Sequence, residues 1–126
     1  MSVKVGTFNV KNLFNQEDIV PGSRTRPKPE FEQKAMCEVI RRMDCDVLTL
    51  QECSSQATLQ QALDKYGLSD SYKHVAWRQG NSERGINVAV ISKYPFVKVV
   101  SHKDTVVKLD GGYPDSKFSR DLLRVD

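Results

Sequence analysis

The sequence predicts an α/β fold in which helices flank mixed β-sheets. Strand-like and helix-like patterns alternate through the first half of the chain, and several strand-like runs follow in the second half. The order strand, helix, strand, helix and then several strands is typical of an α/β sandwich. The chain has 126 residues, of which 39% are hydrophobic and 28% charged, enough for one domain with its own core.

Two apolar runs in the first half predict buried strands. Residues 3–9 form a short run that polar side chains close, and residues 45–51 are almost continuously apolar. The second pattern is typical of a strand that is buried on both faces. Residues 15–29 are polar and rich in Pro, Gly and charge, which predicts a loop long enough to serve as a binding loop.

Helical periodicity appears twice. From Phe31 to Met43 the apolar residues follow one another at steps of 4, 1, 3, 1 and 3, which places them on one helical face. Pro29 suits the start of this helix, because the N–H that proline lacks has no partner there. A second helix begins after a cap at Ser54 or Ser55 and ends at Gly67.

The second half of the chain favours strands. Its apolar and β-branched runs are separated by turn residues such as Gly80-Asn81 and Gly111-Gly112. The predicted strands are residues 72–78, 86–93, 96–101, 105–109 and 118–125.

Charge and hydropathy exclude some classes of protein. The net charge of +3 is too small to indicate a nucleic-acid-binding domain by itself. No apolar run approaches the ~20 residues of a transmembrane helix, which excludes a membrane span. The chain starts without the charged, apolar and small-residue pattern of a signal peptide, so a cytoplasmic location is expected.

Three cysteines, Cys37, Cys45 and Cys53, are spaced too widely for a CxxC pair, and no histidine lies near them at a zinc-finger interval. We therefore expect reduced, structural thiols.

One local cluster of positive charge lies in the predicted loop. Arg24, Arg26 and Lys28 alternate there with prolines. Such a cluster is either a solvated loop or a loop that contacts phosphate.

Two polar residues, Asn9 and Glu52, follow the first two predicted strands. Ligand groups in open α/β sheets gather at the carboxyl ends of strands, so these side chains are candidates for one site. A carboxylate such as Glu52 is an ordinary Mg²⁺ ligand, although it could also face solvent or pair with a lysine. The Asn9 amide could contact phosphate or ligate a metal weakly, or it could form a turn at the strand end.

Four segments then resemble, in order, the motifs of the endonuclease/exonuclease/phosphatase family, whose members include deoxyribonuclease I-like nucleases. They are residues 6–14 (GTFNVKNLF), 46–52 (DVLTLQE), 82–92 (SERGINVAVIS) and 118–123 (FSRDLL). The resemblance implies the N-terminal half of a four-layer α/β sandwich with two mixed β-sheets flanked by helices. It implies that residues 1–126 are the N-terminal portion of a single domain whose C-terminal half is absent.

The resemblance also implies a catalytic set, namely Asn9, Glu52 and Glu83. Glu52 matches the family's metal-binding glutamate for Mg²⁺ or Mn²⁺, with Asn9 contacting the scissile phosphate and the metal's water shell. Glu83 matches an acidic residue that orients a catalytic histidine in deoxyribonuclease I-like members.

The implied substrate-binding residues are Asn12, Arg84 and Arg120. Taken without the resemblance, Glu83 and Arg84 could be a solvated pair, and Arg120 could pair with Asp121. Asn87 departs from the aspartate that relatives often carry at this position, which leaves its role open.

The family's Asp-x-Asn motif and terminal Asp-His pair are not recognisable here, and His74 and His102 match neither. We therefore predict a metal-dependent phosphodiester hydrolase that is incomplete, and inactive as this chain alone. Its expected partners are a phosphodiester substrate, with nucleic acid among the candidates, and the C-terminal half in cis or as a second chain. The alternative is a non-catalytic truncated module that binds a phosphate ligand or a complementing protein chain.

Overall fold

A four-stranded mixed sheet forms the centre of the computed structural model, which describes residues 2–126. Its strands are β1 (Val5–Leu13), β2 (Val47–Cys53), β3 (His74–Arg78) and β4 (Asn87–Ser92), in the spatial order β1-β2-β4-β3. β1 runs parallel to β2, whereas β4 is antiparallel to both β2 and β3. The α/β class and the mixed sheet are therefore as predicted.

Both predicted helices are present as α1 (Glu30–Met43) and α2 (Gln56–Lys65). Pro29 occupies the position before α1, and Asp44 ends that helix in a left-handed conformation with its N–H bonded to the Ile40 carbonyl. Of the two candidate caps for α2, Ser55 is the one used. Its hydroxyl accepts the Thr58 N–H at 3.1 Å and so satisfies one of the unpaired donors of the first turn.

The core lies between one face of the sheet and the two helices. Leu48 and Leu50 of β2 and Ile91 of β4 are fully buried there against Ile40 of α1. Alternation along the strands sends these side chains to the same face, and hydrophobic burial holds the helices on it. Gly6 belongs to this region because a Cβ at its position would lie 2.6 Å from the Cys45 sulfur.

The three cysteines are free and buried, as expected from their spacing. Burial, with a smaller contribution from the Glu52 charge, raises the pKa of the Cys53 thiol to about 12. Cys53 is therefore a protonated core residue at neutral pH, although it directly follows Glu52 in sequence.

The strand predictions for the second half are wrong in three places. Residues 96–101 contribute only β5 (Val99–Val100), and residues 118–125 only β6 (Arg124–Val125), which pairs with β5 in a small antiparallel sheet. Residues 105–109 form one isolated bridge, from Val107 to Ser116. β-Propensity becomes a strand only where a neighbour completes the ladder, and these runs have such a neighbour for one or two residues.

The remaining strand predictions, residues 72–78 and 86–93, correspond to β3 and β4. Within residues 2–126, neither helix combines the length and the apolar character needed to cross a membrane.

Candidate metal and phosphate site

Glu52 lies within β2 and not beyond its end, because the strand continues through it to Cys53. The register of β2 against β4 shifts at Glu52. Gln51 pairs with Val88 of β4 and Cys53 pairs with Asn87, so Glu52 has no partner on that side. It is a β-bulge with φ of +64°, a left-handed conformation that is uncommon for a residue other than glycine.

A second irregularity faces Glu52 across the β1–β2 pair. Asn9 pairs with Gln51 and Leu13 pairs with Cys53, so three residues of β1 stand opposite Glu52 alone. Two of them, Lys11 and Asn12, are also left-handed, each with φ of +53°. Left-handed non-glycine residues cost of order 1–2 kcal/mol each, and such conformations concentrate at functional sites.

The two bulges are joined by one hydrogen bond. The backbone N–H of Asn12 donates to Oε2 of Glu52 at 2.9 Å. This bond fixes the direction of the half-buried Glu52 carboxylate. In a regular strand, the alternation of side chains would point it elsewhere. Asn12 and Glu52 belong to separate sequence motifs, residues 6–14 and 46–52, and the fold joins them by this hydrogen bond.

The oxygen donors around Glu52 fit a hard divalent cation. Glu52 takes part in none of the ion pairs formed within the described part of the chain. The side-chain oxygen of Asn12 is buried without a hydrogen-bond partner. A carboxylate without an ion pair, and an unpaired amide oxygen on the residue that hydrogen-bonds it, are oxygen donors of the kind that hard divalent cations take. Across residues 2–126, no three Asp, Glu, His or Cys side chains form a closed cage, and Mg²⁺ needs only one or two carboxylates beside waters and substrate oxygens.

Asn9 also lies inside its strand, since β1 continues past it to Leu13. Its side-chain oxygen accepts the Lys11 N–H at 2.9 Å and so supports the bulge. Its side chain is exposed, and its NH₂ group donates no hydrogen bond to other residues of the described chain. Asn9 therefore holds the backbone of the site with one end of its amide and presents donors with the other.

The predicted loop at residues 15–29 is fixed at its start by α2. Asp18 accepts hydrogen bonds from the hydroxyls of Thr58 (2.6 Å) and Ser55 (3.0 Å) and from the Asn15 N–H (2.8 Å). The Asn15 side chain reaches the same helix by donating to Gln61 at 3.0 Å. A one-turn 3₁₀ helix, Gln16–Asp18, results, and residues 20–26 of the loop line a groove together with Asn12.

A groove of about 600 Å³ opens between this loop and the turn before β4. Asn12 lies on one wall, Glu83 and Arg84 on another, and Arg24 and Arg26 come from the loop. Glu83 and Arg84 are both exposed, and neither forms an ion pair within residues 2–126. The groove shares Asn12 with the Glu52 site, although Glu52 itself does not line it.

Arg120 does not join these residues. Its guanidinium is exposed and donates to the neighbouring Ser119 hydroxyl at 2.9 Å, with no bond to Glu52, Asn9 or Asn12 in the described structure. Asp121 is not its partner either. That carboxylate is buried, and it accepts the Ser101 hydroxyl and the His102 N–H.

Sequence reasoning missed the part that Asn87 plays. Its buried amide accepts the Gly80 N–H at 2.9 Å and donates to the carbonyls of Ser54 and Gly85, at 3.0 and 3.2 Å. These bonds connect the end of β2 to both sides of the turn that carries Glu83 and Arg84. An amide supplies both donors and acceptors, which an ionised aspartate at this position could not do.

The family model of the endonuclease/exonuclease/phosphatase family matches residues 6–118. The chain belongs to this family. Its members hydrolyse phosphoester bonds and generally use divalent metals. The match covers the bulges of β1 and β2, the loop and the turn with Glu83 and Arg84. No curated protein matches the chain.

The anchor of the loop is expected to depend on pH through Asp18. Burial raises the pKa of this carboxyl, but the hydrogen bonds from Thr58 and Asn15 outweigh burial and leave the pKa below its ordinary 3.8. A group with a lowered folded-state pKa stabilises the fold above its unfolded pKa, and the stabilisation is lost as pH falls through the folded pKa. Chemical denaturation should show Asp18→Asn less stable by roughly 1 kcal/mol at pH 7, a figure reduced for solvent screening. The difference should shrink below pH 3.8.

Asp70→Asn is the matched control, because Asp70 is exposed and makes no side-chain hydrogen bond within residues 2–126. A constant difference between Asp18→Asn and the unmutated chain from pH 7 to pH 2 would contradict this account.

Proposed function

We propose that this chain supplies the metal-binding and phosphate-binding part of a Mg²⁺- or Mn²⁺-dependent phosphodiester hydrolase. The observation that carries the proposal is the Glu52 carboxylate, which the Asn12 N–H orients at 2.9 Å and which no lysine or arginine of residues 2–126 neutralises. A half-buried carboxylate without a counter-ion is available to a cation, and carboxylates are ordinary Mg²⁺ ligands. Membership of a phosphoesterase family supports the reaction class.

In this proposal Glu52 holds the cation, with the side-chain oxygen of Asn12 as the second protein donor. A bound divalent ion supplies Lewis-acid stabilisation of the negative charge on the phosphoryl oxygens. Asn9 directs its free NH₂ group at a phosphate oxygen, because its own oxygen is already occupied by the Lys11 N–H. The strained bulges keep these groups in place before substrate arrives, so that little reorganisation is needed during the reaction.

The groove beside the site is proposed to bind the substrate's phosphates. Arg24, Arg26 and Arg84 line it and form no ion pair in the described chain, so their charges are available to an anion. Guanidinium groups suit phosphate because their N–H donors can bind two oxygens at once. Three cations along one groove favour a substrate with more than one phosphate, such as an oligonucleotide, over a phosphomonoester.

Glu83 is proposed to act only with a group from outside residues 1–126. It lies in the exposed turn beside Arg84, and neither His74 nor His102 is hydrogen-bonded to it. His74 packs edge-on against Phe96, and His102 Nδ1 lies 2.9 Å from the Leu122 carbonyl oxygen. The general base for water activation is therefore proposed to come from the C-terminal half of the family domain, in cis or as a second chain. We accordingly propose that residues 1–126 alone bind metal without turnover.

Glu52→Gln tests the metal site, because it keeps the shape of the side chain and removes its charge. Isothermal titration of the chain with Mn²⁺ should show affinity at least about 10-fold weaker than that of the unmutated chain. In the intact protein, Mn²⁺-dependent hydrolysis of bis(p-nitrophenyl) phosphate should fall by about 100-fold or more. Glu17→Gln is the control, because Glu17 is exposed in the 3₁₀ turn and makes no side-chain bond within residues 2–126. Equal Mn²⁺ affinity in Glu52→Gln and the unmutated chain would sink the proposal.

Arg84→Ala tests the groove. We expect the KM for an oligonucleotide substrate to rise about 10-fold in the intact protein while kcat changes little, because the lost contact is made equally in the ground state and the transition state. Arg42→Ala serves as the control, since Arg42 is exposed on α1 and pairs with Glu38. An unchanged KM for Arg84→Ala, or an equal rise for Arg42→Ala, would show that the groove does not bind substrate.

A further inference from the structure

Lys28, the lysine of the loop at residues 15–29, is largely shielded from solvent. The Lys28 side chain is only 7% exposed, and its ammonium donates to the backbone carbonyl of Lys11 at 2.8 Å. Lys28 therefore differs from Arg24 and Arg26, the other two basic residues of the local cluster. The two arginines line the groove, whereas Lys28 turns inward to the left-handed bulge of β1.

The carbonyl that Lys28 contacts belongs to the same peptide unit as the N–H that holds Glu52. Lys28 binds the oxygen of the Lys11–Asn12 peptide, and Glu52 accepts the hydrogen on its nitrogen at 2.9 Å. A trans peptide is planar, with its C=O and N–H pointing in opposite directions. A cation at one end and a carboxylate at the other therefore fix the orientation of the whole peptide plane.

The contact is also electronic. A positive charge at the carbonyl oxygen favours the resonance form with a C–N double bond, which leaves the N–H more positive and a stronger donor. Consecutive hydrogen bonds through one amide polarise one another in this way. The Lys28 ammonium thus acts on the Glu52 carboxylate through one peptide, without standing beside the carboxylate and competing with a metal for it.

Lys28 is itself held in place by the residue that follows β1 and by the start of α1. Its N–H donates to the Phe14 carbonyl at 2.8 Å, and its own carbonyl accepts the Gln33 side chain at 2.9 Å. Its ammonium also lies 3.5 Å from the Glu32 carboxylate, one helical turn along. The backbone bonds fix the point from which the side chain extends, and its burial leaves it little conformational freedom, which makes it suitable for holding another group.

We propose that Lys28 is a positioning residue for Glu52, acting through the Lys11–Asn12 peptide. It stabilises the left-handed bulge and directs the Asn12 N–H at the carboxylate, so that Glu52 is set for a divalent cation. The inference rests on the proposed function for the metal. The contact from Lys28 to Glu52 through the peptide can be tested without any metal.

Lys28→Met tests the proposal, because methionine keeps a long flexible stem and removes the charge. In metal-free ¹⁵N-correlated NMR spectra, the Asn12 amide proton should move upfield and exchange faster with solvent. Mn²⁺ affinity by titration calorimetry should weaken by about 10-fold or more, the usual effect of losing a group that orients a metal ligand. Lys28→Arg, which restores a charged donor, should recover part of both changes.

Two controls separate this role from general stability. Glu32→Gln removes the ion pair with Lys28 but leaves the ammonium on the Lys11 carbonyl. Lys34→Met removes an exposed charge on α1 that has no ion pair in the described chain. Both variants should keep the Asn12 amide shift and the Mn²⁺ affinity of the unmutated chain.

Three results decide the outcome. If Lys28→Met lowers the unfolding free energy but leaves the Asn12 amide shift and Mn²⁺ affinity unchanged, Lys28 only closes the loop and the proposal is overturned. If Glu52→Gln leaves Mn²⁺ affinity unchanged, the proposed function fails while the amide shift still tests Lys28. If Lys28→Met does not fold, NMR of the Lys28 ammonium in the unmutated chain tests the proposal instead. Its Lys28 ammonium should exchange slowly and couple to the Lys11 carbonyl carbon, and an ammonium exchanging as fast as that of Lys34 overturns the proposal.

Discussion

The site depends on one hydrogen bond, from the Asn12 N–H to the Glu52 carboxylate, which joins the bulges of two parallel strands. Three left-handed residues are needed to form it, namely Lys11, Asn12 and Glu52. The buried Leu48 and Leu50 on either side of Thr49 hold β2 in register. Packing of the core thus offsets the free-energy cost of the strained backbone at the bulges. A well-packed sheet thus supports Glu52 in a backbone conformation that would be unfavourable in isolation.

The loop at residues 15–29 becomes part of the site because both of its ends are fixed. Asp18 attaches its start to the hydroxyls of α2, and Lys28 attaches its end to the bulge of β1. Between these anchors, Arg24 and Arg26 are exposed along the groove. Fixed at both ends, the loop presents these two charges to the groove that Asn12 also lines, which is the basis for proposing that it binds phosphate. Asn87 likewise fixes both ends of the turn that carries Glu83 and Arg84, through its hydrogen bonds to Gly80 and Gly85.

Periodicity and capping predicted the helices, because those signals are local. Residues 31–43 were predicted and Glu30–Met43 is helical, and Ser55 caps α2 as one of two candidates. The strand predictions at residues 105–109 and 118–125 were wrong because pairing depends on distant neighbours. The motifs pointed to Glu52 and Asn12 but could not show their contact, which spans 40 residues and requires positive φ at residues that are not glycine. The inward turn of Lys28 could not be predicted for the same reason, since an alternating basic loop carries no sign that one of its cations turns inward.

The central claim is that Glu52 holds a divalent cation in a pre-formed site. Crystals of the chain soaked in MnCl₂ and measured at a wavelength with strong manganese anomalous scattering test it most directly. The account predicts an anomalous peak about 2.2 Å from a Glu52 carboxylate oxygen, with the Asn12 N–H still bonded to the other oxygen. An absent peak at Glu52 in crystals that bind Mn²⁺ elsewhere, or a lysine or arginine occupying that position, would contradict it.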